Sequence, residues 1–312
     1  MGILEKKTIL TTDEGMFVSG YGLVQNYSLQ PQKNGGSYIS GQVQLKGQVP
    51  FKVWSNTSPN SAYVKMTTNP DEYKNSICQI RGKVDRYGGI SSIIIDSITA
   101  VDPKEVGLST SDFLEEVYDI NAWWSKLEGV LRKNCSETAV KIFEELLLPI
   151  KDRFVTEFAA SFHHDNCKSG LLAHTTKVVR LATVLKMYPE ITSKISSDAL
   201  FLGCALHDIG KVFEYSNGTV SGTGKYISHH TFGVMLLVRN ESLIVNAMGE
   251  DFYYSMLSVV EQHHGEYAER PRTVLAYVIY LLDNLDSTLT SLDKVISEAK
   301  DEQIQYNGFK LV

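Results

Sequence analysis

All eight histidines of this 312-residue chain fall between His163 and His264. Imidazole is the commonest metal ligand and the side chain that most readily moves protons near neutral pH, so that window is where chemistry is expected. His207 and Asp208 stand together in LHDIGK, at the end of an apolar helical pattern, where neighbouring side chains about 100° apart can bracket one ion. Alone, such a pair is as well explained as a helix end. His174 in an apolar helix, the pair His263 and His264, and Asp283 within VLAYVIYLLDNLD change the weighing. A carboxylate on a nearly all-apolar helix is costly to bury unless it is paired or binds metal. His174, His207, Asp208 and Asp283 would supply mixed nitrogen and oxygen donors, a set suited to manganese, iron or zinc.

His229, with His263 or His264, offers nitrogens for a second ion, and Asp208 has two oxygens with which to bridge the two. Paired ions about 4 Å apart clamp a phosphodiester and activate the attacking water. Lys211, three residues beyond Asp208, is placed to neutralise a phosphate oxygen, against the plainer reading of a lysine at a helix C-terminus. His163 and His164 are candidates for phosphate or sugar contacts. His230 reads as a bystander, and Asn284 and Asp286 as either supports of the ligands or a solvated helix end.

The elements that must position these residues divide into a β-rich first part and a helical remainder. From Met16 to Thr99, FVSGYGLVQNY, SYISGQVQLKG, PFKVWS, SICQIRGKVDRY and GISSIIIDSITAV read as five strands. NGG at 34–36 and YGG at 87–89 mark hairpins, and a polar segment from Asn56 to Asn75 separates the third and fourth strands. That layout predicts a five-stranded barrel of OB type over 1–105. VDPKEVGLSTSD is a linker with capping residues from Ser109 to Asp112, and 106–160 is a linker and helical lead-in. The apolar three-and-four spacing then continues through 161–312, with a loop or small hairpin between Phe213 and Tyr226. The fold class is therefore α+β multidomain: a β-barrel followed by an all-α domain. On the barrel, Trp54 and Tyr87, interleaved with Arg81, Lys83 and Arg86, could form stacking platforms and a mildly positive track for a single strand; barrel core is the competing reading. Tyr21, Tyr27, Tyr38 and Lys52 belong to the same pattern.

Composition narrows the class. Apolar residues make up 43% and charged residues 21%, as in globular proteins. Residues 1–105 carry 11 Lys+Arg against 9 Asp+Glu and the remainder 19 against 27, so a first part of +2 and a second of −8 give the overall −6. The acidic helical part is no obvious nucleic-acid groove. No apolar run approaches the roughly 20 residues of a membrane span, and MGILEKKTIL lacks a signal peptide's apolar region; a cytoplasmic protein without membrane contact is expected. Cys78, Cys135, Cys167 and Cys204 form no CxxC pair, which speaks against a disulfide framework or a thiolate zinc cage. Tyr253, Tyr254 and Trp124 read as exposed aromatics that leave room for a homo-oligomer.

The order His174, then His207 with Asp208, then Asp283 resembles the signature of the HD superfamily of metal-dependent phosphohydrolases. Together, FHHDNCKSGLLAHT, LHDIGK, SHHTFG, QHHG and LLDNLD more closely resemble the YhaM-type 3'-5' exoribonucleases, which place an OB domain before an HD domain, and this likeness spans nearly the whole chain. The resemblance implies hydrolysis of single-stranded RNA, and sometimes DNA, from the 3' end with release of nucleoside 5'-monophosphates. It also implies divalent ions, two in number, with manganese favoured and iron, zinc, nickel, cobalt or magnesium as substitutes. By position, His174, His207, Asp208 and Asp283 match the family's metal set, and His229, His263 and His264 the extra histidines of its two-metal members. HHDNCKSG and SHHT depart from the family's usual aromatic, glycine-rich stretch and from the glycine that usually precedes the histidine. Two other readings compete: an HD phosphodiesterase acting on a cyclic or short signalling oligonucleotide, and a nucleic-acid-binding protein with an inactive HD site.

Overall fold

The computed structural model describes the chain apart from residues 33–34, 88–89, 115–118, 160–166, 217, 266–268, 299–303, 307–308 and 312. It divides into two compact units, Met1–Glu116 with Leu292–Val312, and Val117–Ser291. These cuts differ from boundaries at 105, 160 and 312. The last helix, Val274–Glu298, runs through the second cut without a proline or glycine that sequence could register.

In the first unit, β1 (Phe17–Pro31), β2 (Ser37–Gln44), β3 (Gln48–Trp54), β4 (Ser76–Tyr87) and β5 (Ile90–Ala100) form a closed barrel in the order β1-β2-β3-β5-β4. This is the OB-type barrel expected. β1 is long enough to pair with two partners, Phe17–Val24 with β4 and Leu23–Pro31 with β2, and a register shift between Val24 and Tyr27 bends it from one to the other. Such a bulge lets a strand turn a barrel corner. A parallel contact of Phe51 with Ile93 and Lys52 with Ile94 completes the ring. Alternation along the strands sends Val24, Ile39, Val43, Phe51, Ile80 and Ile93 inward, all fully buried. The NGG and YGG turns lie partly outside the described residues, and the pairings beside them, Pro31 with Ser37 and Tyr87 with Ile90, are those of hairpins.

The segment read as polar between β3 and β4 contains two helices, Ala62–Thr68 and Pro70–Tyr73. Ser61 caps the first by accepting from Val64 N, and Ala62 and Met66, one turn apart, are buried. Two apolar residues among many polar ones are too few to register as a helical period in sequence.

The second unit is built around the helix Ser197–Leu206, whose residues from Ala199 to Leu206 are all buried. A helix apolar all round belongs in a core. It packs against Gly170–Val184, Glu250–Gln262, Ile120–Asn134 and Glu137–Leu147. Trp124 stacks on Phe143 at 6.4 Å between ring centroids. Tyr253, read as exposed, is buried at 3%, whereas Tyr254, about 100° further round the helix, is exposed. The stretch after Phe213 forms a small hairpin of Tyr215–Ser216 with Thr219–Val220. Among the described residues no helix is long and apolar enough to cross a membrane.

Barrel closure makes one test available. A Cβ added at Gly82, beside the register shift of β4, would meet Ile94 O at 2.2 Å. Gly82→Ala is therefore expected to cost about 1–3 kcal/mol through overpacking, read as a lowered melting temperature.

Candidate metal centre

His207 is the C-terminal cap of the buried helix Ser197–Leu206, and Asp208 lies in the turn that follows, before the short helix Lys211–Glu214. The chain turns tightly because Gly210 has no side chain: a Cβ there would meet His229 O at 1.9 Å and Gly233 N at 2.7 Å. That close approach seats the first turn of the helix His229–Arg239 against the His207–Asp208 turn. His174 comes from the helix Gly170–Val184, Asp283 and Asp286 from one face of Val274–Glu298, and His263 and His264 from the C-terminal end of Glu250–Gln262. His174, His207, Asp208, His229 and His263 are all buried.

Around Asp208 the donors separate by oxygen. Asp208 Oδ2 lies 3.4 Å from both His174 Nε2 and His207 Nε2, and Asp283 Oδ1 lies 3.1 Å from His174 Nε2. Asp208 Oδ1 faces the other way, 3.4 Å from His263 Nε2 and 3.7 Å from His229 Nε2. Lys211 Nζ donates to Asp208 Oδ2 at 2.6 Å.

The opposite side of each ring fixes its tautomer. His207 Nδ1 faces Cys204 O at 2.8 Å and His263 Nδ1 faces Val260 O at 3.1 Å. Carbonyl oxygens only accept, so these two Nδ1 atoms donate, and in the neutral ring Nε2 is left as a bare lone pair. His174 Nδ1 pairs with Asp286 Oδ2 at 2.7 Å and His229 Nδ1 with Glu214 Oε2 at 2.6 Å. Asp208 Oδ1, His229 Nε2 and His263 Nε2 are buried with no hydrogen-bond partner. Lone pairs aimed at a carboxylate gain nothing unless a cation stands between them. Ligands at about 2.0–2.2 Å from one ion lie about 3.0–3.5 Å from each other, which is the spacing of Asp208 from His174, His207 and His263 and of Asp283 from His174, with His229 a little farther at 3.7 Å. The donor set fits a divalent ion.

Charge in the site agrees. Burial opposes ionisation of Asp208, but Lys211 and His207 outweigh it and hold the carboxyl well below its ordinary range. Burial likewise opposes charge on His174, but the carboxylates of Asp208, Asp283 and Asp286 raise it well above the usual histidine value. A divalent ion would replace that proton. His229 is pushed down to about 3 by burial and by Lys211. His230 is held at about 3 and His264 at about 2, in both cases first by burial and next by a neighbouring histidine. All three are neutral, the form that ligates.

The structure thus brings together His174, His207, Asp208, His229, His263, His264 and Asp283 from five separate segments. It departs from the sequence reading elsewhere. Lys211 is buried and bound to Asp208 instead of standing open to a phosphate, because the helix breaks after Leu206 and restarts at Lys211. His230, set aside as a bystander, has its ring among those of His229, His263 and His264. Asp286 supports His174, and spacing held the clue, since i and i+3 share a helix face; Asn284 is exposed. Glu214 went unnoticed because its contact with His229 spans a hairpin. His163 and His164 lie outside the described residues.

On the barrel, Trp54 is 45% exposed and pairs across strands with Tyr38 at 5.2 Å between rings, while Tyr87 is 80% exposed with Lys52 over its ring. Arg81 and Lys83 lie over the exposed ring of Phe17, which sequence reasoning passed over. Arg86 does not join that track: its guanidinium donates to Ser91 Oγ, Leu10 O and Thr12 O, fastening the N-terminal segment to β4. Tyr27 is also internal, donating to Met66 O and Pro70 O.

Residues 171–288 match the HD domain family, so the second unit carries an HD domain, and domain and cluster together define a metal-dependent hydrolase. The chain as a whole is similar to curated relatives named 3'-5' exoribonuclease YhaM. The relative from Listeria innocua is 26% identical over 98% of this chain and 96% of its own length, and one from Listeria monocytogenes is 27% identical over the same shares. A Geobacillus relative of the same name is 26% identical over 94% of this chain and 89% of its own. Among solved structures, a chain of a replication protein A heterotrimer bound to ssDNA aligns with 34% of this chain and 85% of its own at 15% identity, with a TM-score of 0.25.

Two measurements test the centre. Returning manganese to the chelator-stripped chain is expected to raise its melting temperature, by the equivalent of about 2.7 kcal/mol at a hundredfold excess over Kd, and Asp208→Ala should remove most of that gain. Gly210→Ala should weaken manganese binding as well as stability, since it moves the His229 helix away from Asp208.

Proposed function

We propose that this chain is a metal-dependent 3'-5' exoribonuclease that releases nucleoside 5'-monophosphates from single-stranded RNA, with DNA as a lesser substrate. The observation that carries the chemistry is Asp208, whose two carboxylate oxygens each face a separate histidine group. The full-length likeness to the YhaM exoribonucleases supports the substrate and weighs against both a signalling-nucleotide phosphodiesterase and an inactive site. In this reading His174, His207, Asp283 and Asp208 Oδ2 hold one ion, while Asp208 Oδ1, His229 and the His263–His264 pair hold a second, with manganese the preferred metal. Bound there, the ions supply Lewis acidity toward the phosphodiester and a water activated for attack.

The chain's own residues do the remainder. Asp286 and Glu214 accept the Nδ1 protons of His174 and His229, which turns each Nε2 inward and makes it a better donor. Lys211, buried against Asp208 Oδ2, keeps that carboxylate ionised despite its burial. The barrel in 1–105 grips the strand, with bases stacking on Trp54 and Tyr87 and the backbone along Arg81 and Lys83. Residues 106–160 lead into the hydrolytic domain, 161–312, where His163 and His164 contact the terminal nucleotide. We place the protein in the cytoplasm, in keeping with four cysteines that form no CxxC pair.

End-labelled single-stranded RNA with a free or a blocked 3' end, incubated with manganese or with chelator, tests this. Stepwise shortening is expected only from the free 3' end and only with metal; intact RNA in every lane would overturn the reading. Asp208→Ala should abolish turnover while retaining part of the RNA affinity. Trp54→Ala should raise KM on long strands, as loss of about 1–3 kcal/mol of base stacking requires, with kcat little changed.

A further inference from the structure

The second histidine group holds more imidazole than a bridged ion pair requires. His229, His230, His263 and His264 each offer a ring nitrogen, and these atoms all lie within 4.8 Å of one another. His230 Nε2 is buried without a hydrogen-bond partner, as are His229 Nε2 and His263 Nε2. The His230 and His264 rings lie 4.5 Å apart between centroids and nearly perpendicular at 83°, and His229 and His230 are 4.1 Å apart. Adjacent residues in mid-helix diverge by about 100°. Here each pair sits at a helix end, His229 and His230 opening one helix and His263 and His264 following the close of another, so the two pairs meet tip to tip. Three buried imidazole nitrogens without a hydrogen-bond partner, gathered with His264 in one cluster, are unfavourable unless a cation satisfies them.

The two groups also differ in kind. The group around His174 and His207 mixes nitrogen with the oxygens of Asp208 and Asp283, whereas the other is nitrogen apart from Asp208 Oδ1. Carboxylate oxygen suits manganese, and imidazole suits zinc and its neighbours.

We infer that His230 completes an imidazole site with His229, His263 and His264 that selects a zinc-class ion, so that the centre is built for two unlike metals, manganese at the mixed site and zinc at the imidazole site. This rests on the two-ion reading above. Ligands at about 2.0–2.1 Å from a zinc ion stand about 3.0–3.4 Å apart, so modest side-chain rotation closes the four imidazoles on an ion that keeps Asp208 Oδ1 as a further ligand.

Metal counting tests it without reference to catalysis. The full-length chain, stripped by chelator and dialysed against about one equivalent of zinc with manganese in large excess, which offsets the intrinsically weaker binding of manganese, is analysed by elemental mass spectrometry. One zinc and one manganese per chain are expected. In His230→Ala, and separately in His264→Asn, zinc affinity should fall at least tenfold while manganese stays near one, with circular dichroism confirming the fold. Cobalt provides a second readout: the visible absorption of a nitrogen-rich cobalt site should appear in the parent chain and fade in His230→Ala. Unchanged zinc affinity in a folded His230→Ala, or two manganese ions and no zinc in the parent, would overturn the inference. Because RNA shortening is assayed separately, a chain that binds both metals but leaves RNA intact would count against the proposed function and leave this site standing.

Discussion

The second unit depends on keeping the Asp208 carboxylate charged at 1% exposure. An isolated carboxylate in such a place would take up a proton or force the fold open. Lys211 offsets the charge on one oxygen, and four imidazoles converge on the pair, three of them from other helices. Each imidazole is in turn fixed from behind, His207 and His263 by carbonyls of their own helices and His174 and His229 by carboxylates. The arrangement is a set of lone pairs directed inward, held by hydrogen bonds directed outward. It is satisfied when positive charge occupies the middle.

This constraint explains features of the packing that are otherwise unrelated. The helix that ends at His207 is apolar on all sides, so it can be surrounded by the helices that deliver the other ligands. Gly210 is bare so that the His229 helix can approach to backbone contact. Asp286 sits one turn beyond Asp283, where the face that supplies a donor also supports His174. The barrel obeys a different rule: alternation fills its interior with aliphatic side chains and leaves Trp54, Tyr87 and Phe17 on the outside, apolar surface that suits stacking.

How much of this could be read in advance varied with the range of the interaction. The five strands, the major helices and the convergence of His174, His207, Asp208 and Asp283 were legible, because each rests on local periodicity or on a polar residue conspicuous in an apolar run. The helices between β3 and β4 were not, since only Ala62 and Met66 mark their buried face. Arg86 looked like part of a basic track, yet its donors are taken by carbonyls some seventy residues earlier in the chain. Lys211 lies beside Asp208, as a spacing of three residues allows, but it is bound to that carboxylate and the helix is broken between Leu206 and Lys211.

The sequence by itself determined the division into a β-barrel and a helical HD domain, and which residue types could ligate, because strand alternation, helical period and side-chain donor chemistry are local properties. Only the tertiary structure decided which oxygen of Asp208 faces which histidines, that Glu214 and Asp286 hold the rings from behind, and that His230 joins the second group. Those outcomes depend on helix ends meeting across the core, within tenths of an ångström. Nothing in the order of residues along the chain encodes such distances except through the packing of the whole unit.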